Sequence, residues 1–150
     1  MNDPLVSVIC LCYNQKRFVE ESMLSVLSQT YKNIELIVID DASNDGSQEV
    51  IRDFLVSYPQ IQFLPLTQNV GNCKAFNMGW RLAKGEYIVD LSADDIMLAE
   101  RIEKQVDYFQ ELDSTCGVVF TDCVYVDESG KPFRKSLRLF DFKTNNQFSS

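Results

Sequence analysis

The chain has 150 residues, 45% hydrophobic and 24% charged, with 14 basic and 22 acidic side chains, no histidine and a net charge of −8. Its length suits one domain able to bury roughly two-thirds of its unfolded surface, and its composition is that of a globular chain rather than a disordered one. The charge excludes a nucleic-acid partner, which needs a basic stripe. No apolar run approaches the ~20 residues of a membrane span and no charged-then-apolar leader opens the chain, so a cytosolic domain is expected.

Residues 6–13 (VSVICLCY) are apolar on both faces, as expected of a central parallel strand. Phe18, Val19, Ser22, Met23, Val26 and Leu27 then recur on one helical face. A second apolar strand, 34–39, runs into Asp40-Asp41, and the turn 42–46 (ASNDG) offers Ser43, Asp45 or Ser47 as the cap of a helix with Val50, Ile51, Phe54 and Leu55 on its stripe. Residues 61–66 (IQFLPL) predict a short strand, with Pro65 marking its end or an edge position. A loop leads into a helix over 73–84 that Gly85 would cap. Gly79, unfavourable inside a helix, predicts close packing against a neighbour. Strand 87–91 delivers Asp94-Asp95, a fourth helix is marked by Leu98, Ile102, Val106 and Phe109, and 118–126 reads as strand. The turn 127–130 (DESG) leads to a possible hairpin arm over 131–134, beyond which the pattern fades.

Alternating strands and helices imply an α/β fold, a mostly parallel central sheet between helical layers. Ligands of such sheets bind at the carboxyl ends of strands, where the strand order reverses. Both aspartate doublets and Tyr13-Asn14 fall at such ends. Adjacent carboxylates at Asp94-Asp95 repel unless a cation or donors compensate, and a hard divalent ion bridging a diphosphate would do so; the structural alternative is a helix cap. Asp40-Asp41 is either a turn or an acceptor for a ribose or a base-edge N–H. A dinucleotide-type pyrophosphate loop is excluded, since the turn after the first strand, 14–17, has no glycine. Lys74 stands near a helix N-terminus, where a phosphate or a base would meet its charge; its alternative is an ordinary surface lysine. Of the five cysteines, Cys10 and Cys12 share a strand face and read as small buried side chains rather than zinc ligands. Reduced thiols fit the cytosol.

These residues resemble the inverting GT-A glycosyltransferases of family 2, which use nucleotide-diphosphate sugars. The resemblance runs through VSVICLCYN (6–14), SVLSQTYKNIELIVIDDASNDGS (25–47), NVGNCKAFNMG (69–79), KGEYIVDLSADD (84–95) and the DESGK turn at 127–131. It implies a GT-A (nucleotide-diphospho-sugar transferase, Rossmann-like) sandwich, with residues 1–134 as the nucleotide-sugar-binding core and 135–150 as a tail or the start of a truncated acceptor-binding region. It further implies a nucleotide site drawn from Cys12, Tyr13, Asn14, Asp41, Lys74 and Asp94. Tyr13 would stack near the uracil, Asp41 would accept the pyrimidine N3–H, Asp94 would lie near the ribose, and Asp95 would hold Mn2+ or Mg2+. Where the family often has a proline or a small polar residue, this chain has Leu11-Cys12.

The resemblance also implies a general base, but none of Asp107, Asp113, Asp122, Asp127, Glu128 or Asp141 stands in a recognisable base motif. The base is therefore expected beyond Ser150. The expected function is the donor half of a metal-assisted, inverting transfer from a UDP-sugar to a saccharide, lipid or protein acceptor, on the cytoplasmic side and in contact with a membrane only through other regions. Two rivals are a non-catalytic nucleotide-binding module of the same fold and a phospho-acceptor switch domain. The latter gathers its acids after the first and third strands, whereas here they follow the second and fourth.

Overall fold

The computed structural model describes residues 3–113 and 115–135, in two compact units that divide after Glu111. The first holds β1 (Val6–Cys12), α1 (Val19–Leu27), β2 (Ile34–Asp40), α2 (Ser47–Ser57), β3 (Gln62–Pro65), α3 (Asn72–Leu82), β4 (Tyr87–Ser92) and α4 (Arg101–Glu111). Its sheet is parallel throughout, in the order β3-β2-β1-β4, so the expected α/β architecture is present. Pro65 closes β3, the strand at one edge, where its missing N–H costs no ladder bond.

β1 lies between β2 and β4 and is buried along almost its whole length. Alternate residues serve two cores. Val6, Val8, Cys10 and Cys12 pack with Leu36, Val38 and Leu91 beneath α1, α2 and α4. Ile9 packs with Ile37, Ile39 and Ala75 on the face that α3 covers. Both cysteines are thus core residues; burial above all pushes the Cys10 thiol up to about 12 and Cys12 up to about 11, with the nearby Asp40 carboxylate adding to the latter.

Two glycines show how close the layers sit. A Cβ on Gly79 would lie 2.6 Å from Ile9 Cγ2, which is the close helix–sheet approach expected from its position in α3. Gly85 is not the helix cap that the sequence suggested: α3 ends at an extended Ala83, and a Cβ on Gly85 would meet the Ser7 backbone nitrogen at 2.6 Å. Its small size is needed where the chain enters β4, not at the helix end. α2 likewise starts from Gly46 at φ +96° rather than from a side-chain cap, while Asp45 accepts the Ser47 N–H at 2.9 Å.

In the second unit the strand expected over 118–126 is reduced to β5 (Val124–Val126), paired antiparallel with β6 (Pro132–Lys135) around the expected 127–130 turn. Asp127 closes that turn by accepting N–H bonds from Ser129 and Lys131. Val118 and Phe120 are exposed, and residues 117–123 form no strand among the described residues. Residues 136–150, including Asp141 and nearly all of the expected tail, lie outside the described residues.

Gly79→Ala should destabilise the chain by about 1–3 kcal/mol, because overpacking against Ile9 outweighs the gain in helix propensity. Urea unfolding measures this, and a neutral or stabilising result would contradict the packing described.

Candidate functional site

Three strand ends stand level because their registers agree: Leu11 of β1 pairs with Ile39 of β2 and Ser92 of β4. The ladders continue one residue into the loops. Asp41 N–H donates to Cys12 C=O at 2.8 Å, and Ala93 N–H donates to Leu11 C=O at 2.9 Å. Between these ends and the start of α3 lies a cavity of about 360 Å3, lined by Leu11, Cys12, Tyr13, Gln15, Asp41, Asn69, Gly71, Asn72, Ala75, Ser92 and Asp94. Because β1 is flanked by β2 and β4, Asp41 and Asp94 stand on either side of it, with the half-exposed Tyr13 ring at its end.

Asp41 is buried, and its carboxylate already has protein partners: Oδ1 accepts the Val70 N–H at 2.7 Å and Oδ2 the Gly71 N–H at 2.9 Å. Each oxygen keeps a second lone pair. Asp41 therefore holds the 70–71 loop against the sheet and is one of the residues that line the cavity. Its neighbour Asp40 faces inward, where Oδ1 accepts the Ser43 N–H and the Gln48 side-chain amide. That turn holds Ala42 at φ +61°, a conformation alanine rarely adopts.

The β1–α1 turn is fastened to the β2–α2 loop residue by residue. Asn14 N–H donates to Ser43 Oγ at 2.8 Å, Gln15 N–H to Ser47 Oγ at 3.0 Å, and Lys16 N–H to Asp45 Oδ2 at 2.9 Å. Asn14 Oδ1 accepts the Asn44 N–H in return, at 2.9 Å. Asn14, at φ +55°, is thus turned toward the loop and helps hold Tyr13 in place. Burial raises the Asp45 carboxyl, but bonds from Ser47 and the Lys16 N–H outweigh it, and the group stays below its ordinary range.

At the other end of the cavity Gln15 reaches across, its side-chain amide donating to Asp94 Oδ2 at a long 3.4 Å. Gln15 is absent from the residues the sequence singled out; nothing in its local pattern points to a bond with a residue so distant in the chain. Asp95 lies beside Asp94, and partial burial, reinforced by the Asp94 charge, raises its carboxyl above the ordinary value while Arg101 opposes the rise. Among the described residues no three His, Cys, Asp or Glu side chains group into a metal cage. Asp94 lines the cavity, whereas Asp95 is not among its lining residues and interacts with Arg101; by chemistry this pair suits Mg2+ or Mn2+, ions commonly held by one or two carboxylates plus substrate phosphates and water. Lys74, by contrast, is an exposed residue of α3 that does not line the cavity; Asn72 and Ala75 do.

A parallel sheet with a crevice at the carboxyl ends of its strands, acids on either side of the first strand, defines an α/β domain of the kind that binds ligands where the strand order reverses. The glycosyl transferase family 2 profile matches residues 7–149, and the chain belongs to that family, with the GT-A fold. It is 38% identical over 108 residues to an uncharacterized glycosyltransferase of Haemophilus influenzae, covering 72% of this chain and 43% of that one. It is 36% identical over 129 residues to glycosyltransferase GlyG of Streptococcus pneumoniae, covering 86% and 42%. Among solved structures, the mannosyltransferase PcManGT of Pyrobaculum calidifontis, in complex with GDP-Man and Mn2+, matches with a TM-score of 0.67 at 28% identity over 78% of this chain and 35% of that one. S. aureus TarS 1-349 in complex with UDP-GlcNAc matches with a TM-score of 0.65 at 24% identity, over 71% and 31%. The chain spans less than half the length of each of these four proteins.

The raised Asp95 carboxyl gives a pH test. The folded state holds this proton to a higher pH than the unfolded chain does, so stability falls as pH rises from the ordinary value of 3.8 through the folded value. In metal-free buffer Asp95→Asn should melt higher than the parent at pH 7, with the advantage shrinking as pH falls toward 4. Melting curves that stay parallel across this range would show that Asp95 does not titrate above the usual carboxylate range.

Proposed function

We propose that this chain is the donor-binding part of a glycosyltransferase that uses a nucleotide-diphosphate sugar, a UDP-sugar foremost, and transfers the sugar with inversion to a saccharide, lipid or protein acceptor. One observation carries the reading: a single cavity is lined by Asp41 after β2, Tyr13 after β1 and Asp94 after β4, with Asp95 next to it in the chain. The free acceptors of Asp41 suit a base N–H, the Tyr13 ring suits the base face, and Asp94 suits a ribose hydroxyl. We assign Asp95 to Mn2+ or Mg2+, with Asp94 alongside. When bound, such an ion neutralises charge on the departing diphosphate.

The residues of the chain do the rest of the work at the donor. Asp41 keeps the Val70–Gly71 backbone against the base side of the cavity, and the Ser43, Asp45 and Ser47 bonds hold Tyr13 and Gln15 at its mouth. Gln15, through Asp94, ties the β1 turn to the β4 turn. Asp41, Asp94 and Asp95 all serve the donor in this reading, so the acceptor's proton goes to a carboxylate that is none of the three. PcManGT with GDP-Man and Mn2+ supports metal use by a relative of this fold. All five cysteines are free, which suits the reducing cytoplasm we propose as the site of action, with any membrane contact supplied by other regions. Among the described residues no helix is long and apolar enough to cross a membrane.

UDP with Mn2+ should raise the melting temperature more than UDP in EDTA, and Asp95→Ala should abolish the difference while leaving the metal-free shift in place. Thermal denaturation with UDP and GDP in each metal measures this. No shift with any nucleoside diphosphate would overturn the proposal.

A further inference from the structure

α1 carries polar residues on the side it buries. Ser22, Ser25 and Gln29 are 1%, 6% and 1% exposed, and their spacing of three and four places them along one face, Gln29 continuing it just past the helix end. Packing alone does not call for them, since Met23 and Val26 on the same helix already fill the core. What they share is a partner: the segment from Ser92 to Ile102, which contains the Asp94-Asp95 doublet.

Ser22 Oγ donates to Ser92 C=O at 3.3 Å, at the end of β4. Ser25 Oγ accepts the Met97 N–H at 3.0 Å and donates to Ser22 C=O at 2.7 Å. Gln29 uses both ends of its amide, donating through Nε2 to Leu98 C=O at 2.9 Å and accepting the Ile102 N–H through Oε1 at 3.1 Å. Thr30 N–H adds a bond to Ala99 C=O at 2.8 Å. The chain is therefore pinned at 92 and again from 97 onward, and the doublet is the short span between those anchors, itself tightened by a bond from Asp95 N–H to Ser92 C=O at 3.0 Å. A buried amide with both ends engaged leaves its partners unsatisfied if it is removed, so these bonds fix the segment more narrowly than apolar contact would.

We propose that Ser22, Ser25 and Gln29 are positioning residues for the cation end of the donor site. They set Asp95 where the ion of the diphosphate would be held, although none of the three lines the cavity. This rests on the cation site proposed above and names the residues that hold it in place. Partners of this kind commonly change metal affinity about 10–100-fold when removed.

The test compares UDP affinity in EDTA and in Mn2+, by calorimetry, for the parent, Ser25→Ala, Gln29→Ala and Ser28→Ala. Ser28 is the control, because it is exposed and its hydroxyl donates back to Ser25 C=O and, among the described residues, has no hydrogen bond to the 92–102 segment. The Mn2+-dependent gain should fall about tenfold or more in Ser25→Ala and Gln29→Ala, with UDP affinity in EDTA held within about twofold and Ser28→Ala unchanged in both. If Gln29→Ala does not fold, Ser25→Ala, which removes a single hydroxyl, decides the matter. A Mn2+ gain kept in Ser25→Ala, or one lost in step with the metal-free affinity, would overturn the inference and leave the proposed function standing. A parent with no Mn2+ gain at all would overturn the cation site and this inference with it.

Discussion

Parallel pairing of β1 with β2 on one side and β4 on the other, in matching register, is the constraint on which the rest of the structure depends. It sets Cys12 opposite Asp40 and Leu11 opposite Ser92, so the turns that follow begin at one level. Side chains alternate between faces along a strand, and a slip of one residue would move Ile9 and Ile37 into the core occupied by Val8 and Val38. Two buried faces therefore hold the register. The crevice is a consequence of that agreement, and β1, with a neighbour on each side, lies where the strand order reverses.

The turns above the sheet are held mostly by side chains bonded to backbone, not by further secondary structure. Asp41 holds the loop before α3, Ser43, Asp45 and Ser47 hold the turn after β1, and Ser25 and Gln29 hold the segment after β4. A short polar side chain can satisfy a loop N–H that neither helix nor ladder reaches. Each such bond also shapes the crevice, which is why polar residues gather at this end of the sheet. At the opposite end the same device recurs, where Ser7 Oγ, donating to Glu35 at 2.5 Å, accepts the Gly85 N–H at 2.8 Å and Glu35 accepts the Lys84 N–H at 2.6 Å, seating the entry to β4.

The sheet was legible in the sequence because its signal is local. Runs such as 6–13 and 34–39 are apolar on both faces, and the doublets after 34–39 and 87–91 mark strand ends without reference to anything distant. Gly79 was legible for the same reason: a helix position that disfavours glycine implies a close neighbour, and Ile9 is that neighbour. Gly85 misled because a glycine after a helix looks the same whether it caps the helix or makes room for another strand. The longer strand expected over 118–126 failed because hydrophobicity predicts burial, and Val118 and Phe120 are exposed within their own unit. Gln15, Ser25 and Gln29 were illegible because each acts on residues 68 or more positions away and each looks like an ordinary helix or turn residue in its own segment. Lys74 is a case that type alone does not decide: a helix-start lysine is an apt phosphate partner, and here it is exposed and not among the residues that line the cavity.

In the proposed function one crevice takes both ends of a nucleoside diphosphate, the base between Tyr13 and Asp41 and the cation at Asp95. Amide NMR of the chain with UDP, first with Mg2+ and then with a trace of Mn2+, tests it directly. UDP should shift the amides of 13–15, 41 and 69–72, and paramagnetic broadening by Mn2+ should be strongest at 93–96 and weaker toward 41 and 70. Broadening centred anywhere else, or nucleotide shifts that leave 13–15 and 69–72 unmoved, would contradict it.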